Sequence, residues 1–354
     1  MKNSATAKKT LCLLCVAALA GSMLVGCGGD SQTSTSTSTD TSGSTSTSNE
    51  GANVVFKFGH VQTNTDPIND ACLRLADAIG EQTGGAITVE VYPNSEIGSN
   101  KDNLEQAARG ASIMTVVDPG YMADYVPDYG IMNGPFLFKS WEDIQVLADS
   151  DWHKSVMEQA SEQGIKVLAS NWFFGNRHII SNKVIETPDD TKGLKIRVPS
   201  NTMWIETMKA MGANPTTLQW SEVYSGLSQG VVDAAEAPLN TLYTSKLHEA
   251  AKNIALTGHF TAVTTIATSQ AVFDTLSAEQ QEIMVTAAEE EGKNYSQITA
   301  NDEEEWRKKL EEEGVTFNEV DTEAFREACK ATYDAFPEWS EGLYDTVQEA
   351  LGYK

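Results

Sequence analysis

Two arginines are the residues whose positions most clearly suggest binding chemistry. Arg177 lies in NRHIISN and Arg197 lies twenty residues later in GLKIRVPS, and both segments have the pattern of strands. Arg197 follows an isoleucine and precedes a valine, and a buried, unpaired ion costs several kcal/mol, so this side chain needs an anion. An internal carboxylate or the carboxylate of a ligand would satisfy it, because the guanidinium fork matches a carboxylate bidentately. The internal candidates are Asp190, Glu206, Asp233 and Glu236.

The sequence lacks the common signatures of catalysis and metal binding. It contains no GxSxG, HExxH, Walker or GxGxxG motif, and after residue 26 it has no CxxC pair and no cysteine and histidine spacing suited to a metal. A formal net charge of -25 leaves no basic face that could bind nucleic acid. We therefore expect a protein that is not an enzyme, that uses no cofactor or metal, and that does not bind nucleic acid.

The N-terminal 52 residues predict export and a lipid anchor. Residues 1–26 combine a lysine-rich start with the apolar stretch 11–20, which is too short to span a bilayer, as in a signal peptide. The following LVGC resembles the lipobox of bacterial lipoproteins, in which Cys27 would take the lipid. Residues 27–52 continue as a Ser/Thr-rich segment that cannot bury a core, so we expect a disordered tether and an extracytoplasmic location at the membrane.

Residues 53–354 alternate strand and helix patterns, which is typical of a parallel or mixed sheet covered by helices. SAEQ, at 277–280, is a capping box, and helical composition continues from it to Glu313. Such a helix would be about 50 Å long. Cys72 and Cys329 lie in helical patterns, where a disulfide or two buried thiols would both fit, and we favour the thiols. The predicted strands are NVVFKFGH, AITVEVYP, SIMTVV, IKVLAS, NRHIISN, GLKIRVPS, NPTTL, VVDAAE and TAVTTIATS.

The order of these segments resembles the solute-binding proteins of tripartite ATP-independent periplasmic (TRAP) transporters. The segments that carry the resemblance are VVFKFGH, VYPNSEIGSNKDNLEQAARG, GPFLF, GLKIRVP, GANPTTLQWSEVYSGLSQGVVDAAEAPL and LHEAAKNIALTGHF. The resemblance implies an α/β fold of the type II periplasmic-binding-protein class, with two lobes joined by hinge strands and a long bracing helix. Lobe I is expected to comprise 53–174 plus 263–302, and lobe II 175–262 plus 303–354.

The resemblance also implies roles for individual residues. Arg197 would make the main bidentate contact to a substrate carboxylate, Arg177 would assist, and Trp220 would pack on the ligand. Where the family pattern reads VDGQENP this chain reads VDAAEAP, so Ala237 stands at the position of a ligand-binding asparagine. The ligand's polar tail should therefore be held differently, while Glu236 is expected to brace its lobe.

Other residues near predicted strand ends are weaker candidates. Asp118 follows the third strand, where it would accept from a ligand hydroxyl or cap a helix, and His60 ends the first strand. His259, in TGHF, is expected to be structural. Aromatic residues that would either line the pocket or pack in the core, with at least two in the core, are Trp172, Phe173, Phe174 and Trp204.

The implied function is the capture of an organic acid and its delivery to a membrane permease. The ligand would be a carboxylate such as a C4-dicarboxylate, a keto acid or an aromatic acid, and the partners would be the small and large TRAP permease subunits. We expect a monomer. An extracytoplasmic sensory receptor of the same fold and an enzyme acting on an organic acid are the alternatives.

Overall fold

A computed structural model describes residues 53–354. The predicted signal peptide, the lipidation site at Cys27 and the tether lie outside the described residues. No helix among residues 53–354 is long and apolar enough to cross a membrane.

A single mixed sheet of nine strands organises the described chain. The strands are β1 (Val54–Gly59), β2 (Ile87–Tyr92), β3 (Ile113–Val117), β4 (Ile165–Ser181), β5 (Lys195–Val198), β6 (Asn214–Thr217), β7 (Ala234–Ala237), β8 (Asn253–Ser269) and β9 (Thr316–Asn318). Their order in the sheet is β2-β1-β3-β8-β4-β7-β5-β6, and β9 pairs with β8. Strands β1, β2 and β3 are mutually parallel, as are β5, β6 and β7, whereas β4 and β8 are antiparallel to each other.

Helices cover the sheet, and short 3-10 segments connect several of them. The α-helices are α1 (Pro67–Gln82), α2 (Asn100–Ala108), α3 (Pro119–Met122), α4 (Asp143–Ala148), α5 (Asp151–Glu162), α6 (Thr202–Ala210), α7 (Val223–Ser228), α8 (Leu239–Thr244), α9 (Leu247–Ala250), α10 (Gln270–Phe273), α11 (Ala278–Glu312), α12 (Thr322–Cys329) and α13 (Leu343–Ala350). The 3-10 segments are Pro127–Asn133, Pro188–Thr191, Trp220–Glu222 and Lys330–Asp334.

The sequence predicted two strands where β4 runs continuously for 17 residues. Strand β8, which pairs with β4, is also 17 residues long, and the register between the two strands shifts four times. These irregularities interrupt the alternation of apolar and polar residues that marks a strand in a sequence. One shift falls between Phe173 and Gly175. Gly175 has φ 123°, and a Cβ there would lie 2.7 Å from the Cβ of Pro238, so only glycine fits this bend.

The long helix predicted from the sequence is present as α11, and it packs across β4. Ser277 and Gln280 form the expected capping box, and the helix runs for 35 residues. Gly292 allows close approach, because a Cβ there would lie 2.2 Å from the Asn171 side chain. The indole of Trp172 donates to the Ala288 carbonyl at 2.9 Å, which fixes the helix against the strand.

The apolar core formed by residues 53–354 is divided among four clusters. Two of them contain side chains from β1, β3, α1 and the first half of β4, and the other two contain side chains from β5, β7 and α6 to α9. Cys72 belongs to the first set and Cys329 to the second, and both are buried free thiols. The prediction of two separate thiols is therefore confirmed.

Strand directions bring two sets of strand ends together. β1, β3 and β4 run one way along the sheet, while β5, β6 and β7 run the other way. β3 pairs with β8 next to the start of β4, and β7 pairs with the end of β4. The carboxyl ends of β3 and β7 therefore point toward the middle of β4, where open α/β sheets bind ligands.

Candidate functional site

A cavity of about 640 Å³, including its open mouth, lies where these strand ends converge. Loops after β1, β3, β5 and β6 contribute its walls, together with the middle of β4. The lining residues are Val61, Gln62, Ser99, Asn100, Val116, Asp118, Tyr121, Phe174, Arg177, Arg197, Pro199, Trp204, Gln219, Trp220, Thr241 and Thr264. Four of the six residues predicted for the site are among them.

Arg197 reaches the cavity from β5 with one edge of its guanidinium fixed. Its Nε and Nη2 donate to the Leu218 carbonyl at 3.0 and 2.8 Å, and the group lies 5.1 Å from the centre of the Trp220 ring. The side chain is almost wholly buried, and burial, helped by the like charge of Arg177, lowers the pKa of Arg197 to about 10. The group therefore stays protonated at neutral pH, and its Nη1 and Nη2 edge is free to face a carboxylate.

None of the carboxylates proposed as internal partners pairs with Arg197. Among residues 53–354, Asp190 instead accepts from the Thr187 backbone, Glu206 pairs with Lys209, and Asp233 accepts from the Lys195 backbone. Glu236 is engaged elsewhere, as described next. Arg197 is thus a buried cation without an ion-pair partner in the described part of the chain.

Glu236 forms the centre of a buried network behind the cavity. Its two carboxylate oxygens accept from Arg177 Nε at 2.5 Å and Nη2 at 2.9 Å, and Trp204 donates to it at 3.0 Å. Burial alone would raise the pKa of Glu236 by disfavouring its negative charge. The interactions of the carboxylate with Arg177 and His259 outweigh this effect of burial and hold the pKa at about 2. Glu236 and His259 contact each other and lie outside the cavity lining, in keeping with the structural roles expected for them, and Glu236 pairs with the charge of Arg177.

Asp118 presents a carboxylate without a partner. It occupies the N-cap position of α3, yet its side chain makes no capping hydrogen bond, and no hydrogen bond or ion pair to it is found in the described residues. Burial raises the pKa of Asp118 to about 6, and the nearby Glu236 reinforces this against the opposing charges of Arg177 and Arg197. The capping alternative therefore has no side-chain contact to support it.

Replacing Asp118 by asparagine should stabilise the ligand-free protein at pH 7.5. The pKa of Asp118 in the folded protein lies above its ordinary 3.8, so the folded state favours the neutral acid. The stability that this preference adds is present in full below pH 3.8 and is lost as the pH rises through about 6. The substitution removes that loss, so we expect the free energy of unfolding to rise by about 3 kcal/mol at pH 7.5 and by much less at pH 4. Urea denaturation at the two pH values measures this, and a less stable variant at pH 7.5 would contradict it.

Three other polar side chains in the cavity have unsatisfied atoms. Gln62 Oε1, Asn100 Oδ1 and Thr264 Oγ1 are buried without hydrogen-bond partners among the described residues. Buried polar atoms without partners cost about 1–3 kcal/mol each, and such groups at a site usually bond a ligand or water. Gln62 and Asn100 were not predicted as site residues, although each belongs to a polar segment that follows a predicted strand, VQTNTDP and NSEIGSN respectively.

Aromatic side chains divide between the cavity and the core. The cavity is lined by Trp220, Phe174 and Trp204. Tyr121 also lines it, although it was not predicted as a site residue. Trp172 and Phe173 are buried in the two core clusters beside β4 and do not line it. This matches the expectation that at least two of the four predicted aromatics pack in the core.

Two predicted site residues lie away from the cavity lining. His60 is buried, and its Nε2 lies 3.2 Å from Asn69 Oδ1, while burial lowers its pKa to about 4. Ala237 is buried on β7 opposite His178, within a core cluster. Thr241, four residues after Ala237, is the residue of this segment that reaches the cavity.

Comparisons with known proteins agree with this geometry. Residues 58–338 match the family described as bacterial extracellular solute-binding protein, family 7. A TRAP periplasmic solute-binding protein from Ochrobacterium anthropi with bound L-fuconate is 37% identical with a TM-score of 0.82, covering 85% of this chain and 100% of its own. One from Fusobacterium nucleatum with bound sn-glycerol-3-phosphate is 34% identical with a TM-score of 0.82, covering 84% and 97%. The 2,3-diketo-L-gulonate-binding periplasmic protein of Escherichia coli K12 is 31% identical, covering 77% of this chain and 83% of that protein.

The predicted fold class is confirmed, because both solved relatives align along nearly their whole length. The family consists of transport proteins that bind a solute, not of enzymes. The chain therefore belongs to the DctP family of bacterial extracellular solute-binding proteins, the periplasmic binding proteins of TRAP transporters.

Proposed function

We propose that this protein captures an organic acid by pairing its carboxylate with Arg197 and delivers it to a TRAP permease. One observation carries the proposal: Arg197 is a buried cation that lines the cavity and has no ion-pair partner in the described residues. A carboxylate at its Nη1 and Nη2 atoms would give this buried cation the ion-pair partner that it lacks. Arg177 would assist through Nη1, to which no hydrogen bond is assigned, and Trp220 would stack on the ligand.

The polar lining favours a ligand with hydroxyl groups. Gln62, Asn100 and Thr264 place unsatisfied oxygens around the cavity, and Asp118 adds a carboxylate. Hydroxyls donate to such oxygens, whereas an aromatic or short dicarboxylic acid would leave most of them unpaired. The relatives that hold L-fuconate and bind 2,3-diketo-L-gulonate are consistent with a sugar acid. We therefore favour a hydroxylated acid over the C4-dicarboxylates and aromatic acids suggested by sequence.

Lobe closure would trap the ligand. We place lobe I at 53–174 plus 263–302 and lobe II at 175–262 plus 303–354. Under this division Asp66 belongs to lobe I and accepts hydrogen bonds from three lobe II side chains on or beside α8, namely Asn240 at 3.3 Å, Thr241 at 2.9 Å and Thr244 at 3.0 Å. These contacts favour a closed form, which gains ligand contacts that an open form lacks.

The remaining parts of the proposal concern place and partners. Cys27 would carry a lipid that holds the protein at the outer face of the cytoplasmic membrane, with 28–52 as the tether. The closed protein would dock as a monomer on the small and large permease subunits. No cofactor enters this scheme.

A screen of organic acids against the purified protein tests the proposal. A ligand at 100 times its dissociation constant adds about 2.7 kcal/mol to stability, which raises the melting temperature measurably. We expect at least one hydroxylated carboxylic acid to do so, with glycerol 3-phosphate and the C4-dicarboxylate succinate as comparison compounds. If no carboxylic acid raises the melting temperature, or only the phosphate ester does, the proposal fails.

A further inference from the structure

The charges that line the cavity nearly cancel. Arg177 is paired with Glu236, so the groups without an ion-pair partner in the described residues are the Arg197 cation and the Asp118 carboxylate. The only other ionisable group of the lining is Tyr121, whose pKa burial raises, so its hydroxyl stays neutral. One anionic group on the ligand therefore has a partner, whereas a second would meet Asp118.

We infer that Asp118 determines the ligand class: it accepts hydrogen bonds from the hydroxyls of a monocarboxylate held by Arg197 and excludes acids with a second carboxylate. The inference rests on the proposed function, since it assumes a carboxylate at Arg197. It adds a residue that selects among organic acids, and it names the selected class as hydroxylated monoanions.

Two physical effects support this role. A carboxylate with free lone pairs is a strong acceptor, and hydrogen bonds from hydroxyls to a charged acceptor contribute about 1.5–3 kcal/mol in proteins. A second carboxylate in the same buried space would bring like charges together at low dielectric and would lose its hydration without gaining a donor. Specificity then comes from attraction to one class and repulsion of the other.

The neighbouring ionisable groups do not remove the selection at neutral pH. Arg177 on β4, Arg197 on β5, Glu236 on β7 and Tyr121 on α3 face Asp118, with His259 on β8 behind Glu236. The arginines keep their protons, and Glu236 has a pKa of about 2, so none of these charges changes between pH 5 and pH 7.5. Burial lowers the pKa of His259, which favours its neutral form. Asp118, with a pKa of about 6, titrates within this range.

Pairs of sugar acids that differ at one carbon test the inference. L-galactonate and galactarate share their hydroxyl stereochemistry and differ at C6, which is a hydroxymethyl group in one and a carboxylate in the other; gluconate with glucarate and mannonate with mannarate form matching pairs. Dissociation constants are measured by calorimetry at pH 7.5 and pH 5 for the wild type, for Asp118→Asn, and for Asp124→Asn. Asp124 is an exposed carboxylate that pairs with Lys101, so its replacement controls for the loss of one negative charge.

In the tightest-binding pair, the wild type and Asp124→Asn should prefer the monocarboxylate by about 30-fold or more at pH 7.5, equivalent to about 2 kcal/mol. Asp118→Asn should reduce this preference to about 3-fold or less, because asparagine no longer repels the second carboxylate. Lowering the pH to 5 should reduce the wild-type preference and leave that of Asp118→Asn unchanged.

Three results would overturn the inference. They are a wild-type preference for the dicarboxylate, an unchanged preference in Asp118→Asn, and binding of no member of any pair. In the last case, Arg197-dependent binding of a different organic acid would leave the proposed function standing, whereas the absence of binding by any organic acid would remove both.

Discussion

Replacing Arg197 by alanine is expected to weaken ligand binding by about 1,000-fold, or about 4 kcal/mol, while the protein stays folded. The loss is large because the ligand carboxylate would be buried without its charged, bidentate partner. The stability should change by no more than about 1 kcal/mol. The variant loses two hydrogen bonds to the Leu218 carbonyl but also removes a buried cation that has no ion-pair partner in the described residues.

Calorimetry with the acid found in the screen, and urea denaturation without ligand, measure the two effects separately. Arg197→Lys keeps the charge but not the planar fork, so we expect it to recover only part of the affinity. Arg109→Ala serves as the control, since the Arg109 side chain is 81% exposed and lies outside the cavity lining. An Arg197→Ala variant that unfolds, together with a wild type that binds no carboxylate, would identify Arg197 as a structural residue.

The contrast between the two arginines shows how far sequence can predict the site. Both lie in segments with a strand pattern, both were assigned to a ligand, and both line the cavity. Their partners could not be read from the chain: Glu236 was a candidate partner for Arg197 and instead pairs with Arg177, 59 residues away. Which of the two arginines meets Glu236 depends on the register between β4 and β7, two strands that lie far apart in the sequence.

The fold was more predictable than the site because its signals are local. Capping at Ser277, the strand patterns and the length of α11 all follow from neighbouring residues. The continuity of β4 was missed, since its bulges break the alternation. The cavity polar groups were missed for a related reason: Gln62 and Asn100 lie in loops, where only the folded chain shows whether a side chain points inward.

The largest loss of stability is expected from Glu236→Gln. This substitution leaves the Arg177 cation buried with no carboxylate to pair with, and breaking a buried pair by removing one partner costs about 3–5 kcal/mol. Glutamine has nearly the size of glutamate, so the effect reports charge and not a cavity. Urea denaturation of the ligand-free protein at pH 7.5 gives the magnitude, and Glu206→Gln, which removes a partly exposed partner of Lys209, gives the control.

The pH dependence of that loss identifies its origin. The pKa of Glu236 is held at about 2, below its ordinary 4.5, so the stability it contributes is present above pH 4.5 and is lost as pH falls toward 2. The difference between the wild type and Glu236→Gln should therefore be constant from pH 7.5 to 5 and shrink below pH 4.5. A second variant, Arg177→Met with Glu236→Leu, removes both charges and should regain most of the lost stability, because a hydrophobic pair of similar volume avoids the desolvation cost. If the double variant is as unstable as Glu236→Gln, packing around β7 and not the buried charge of Arg177 accounts for the loss.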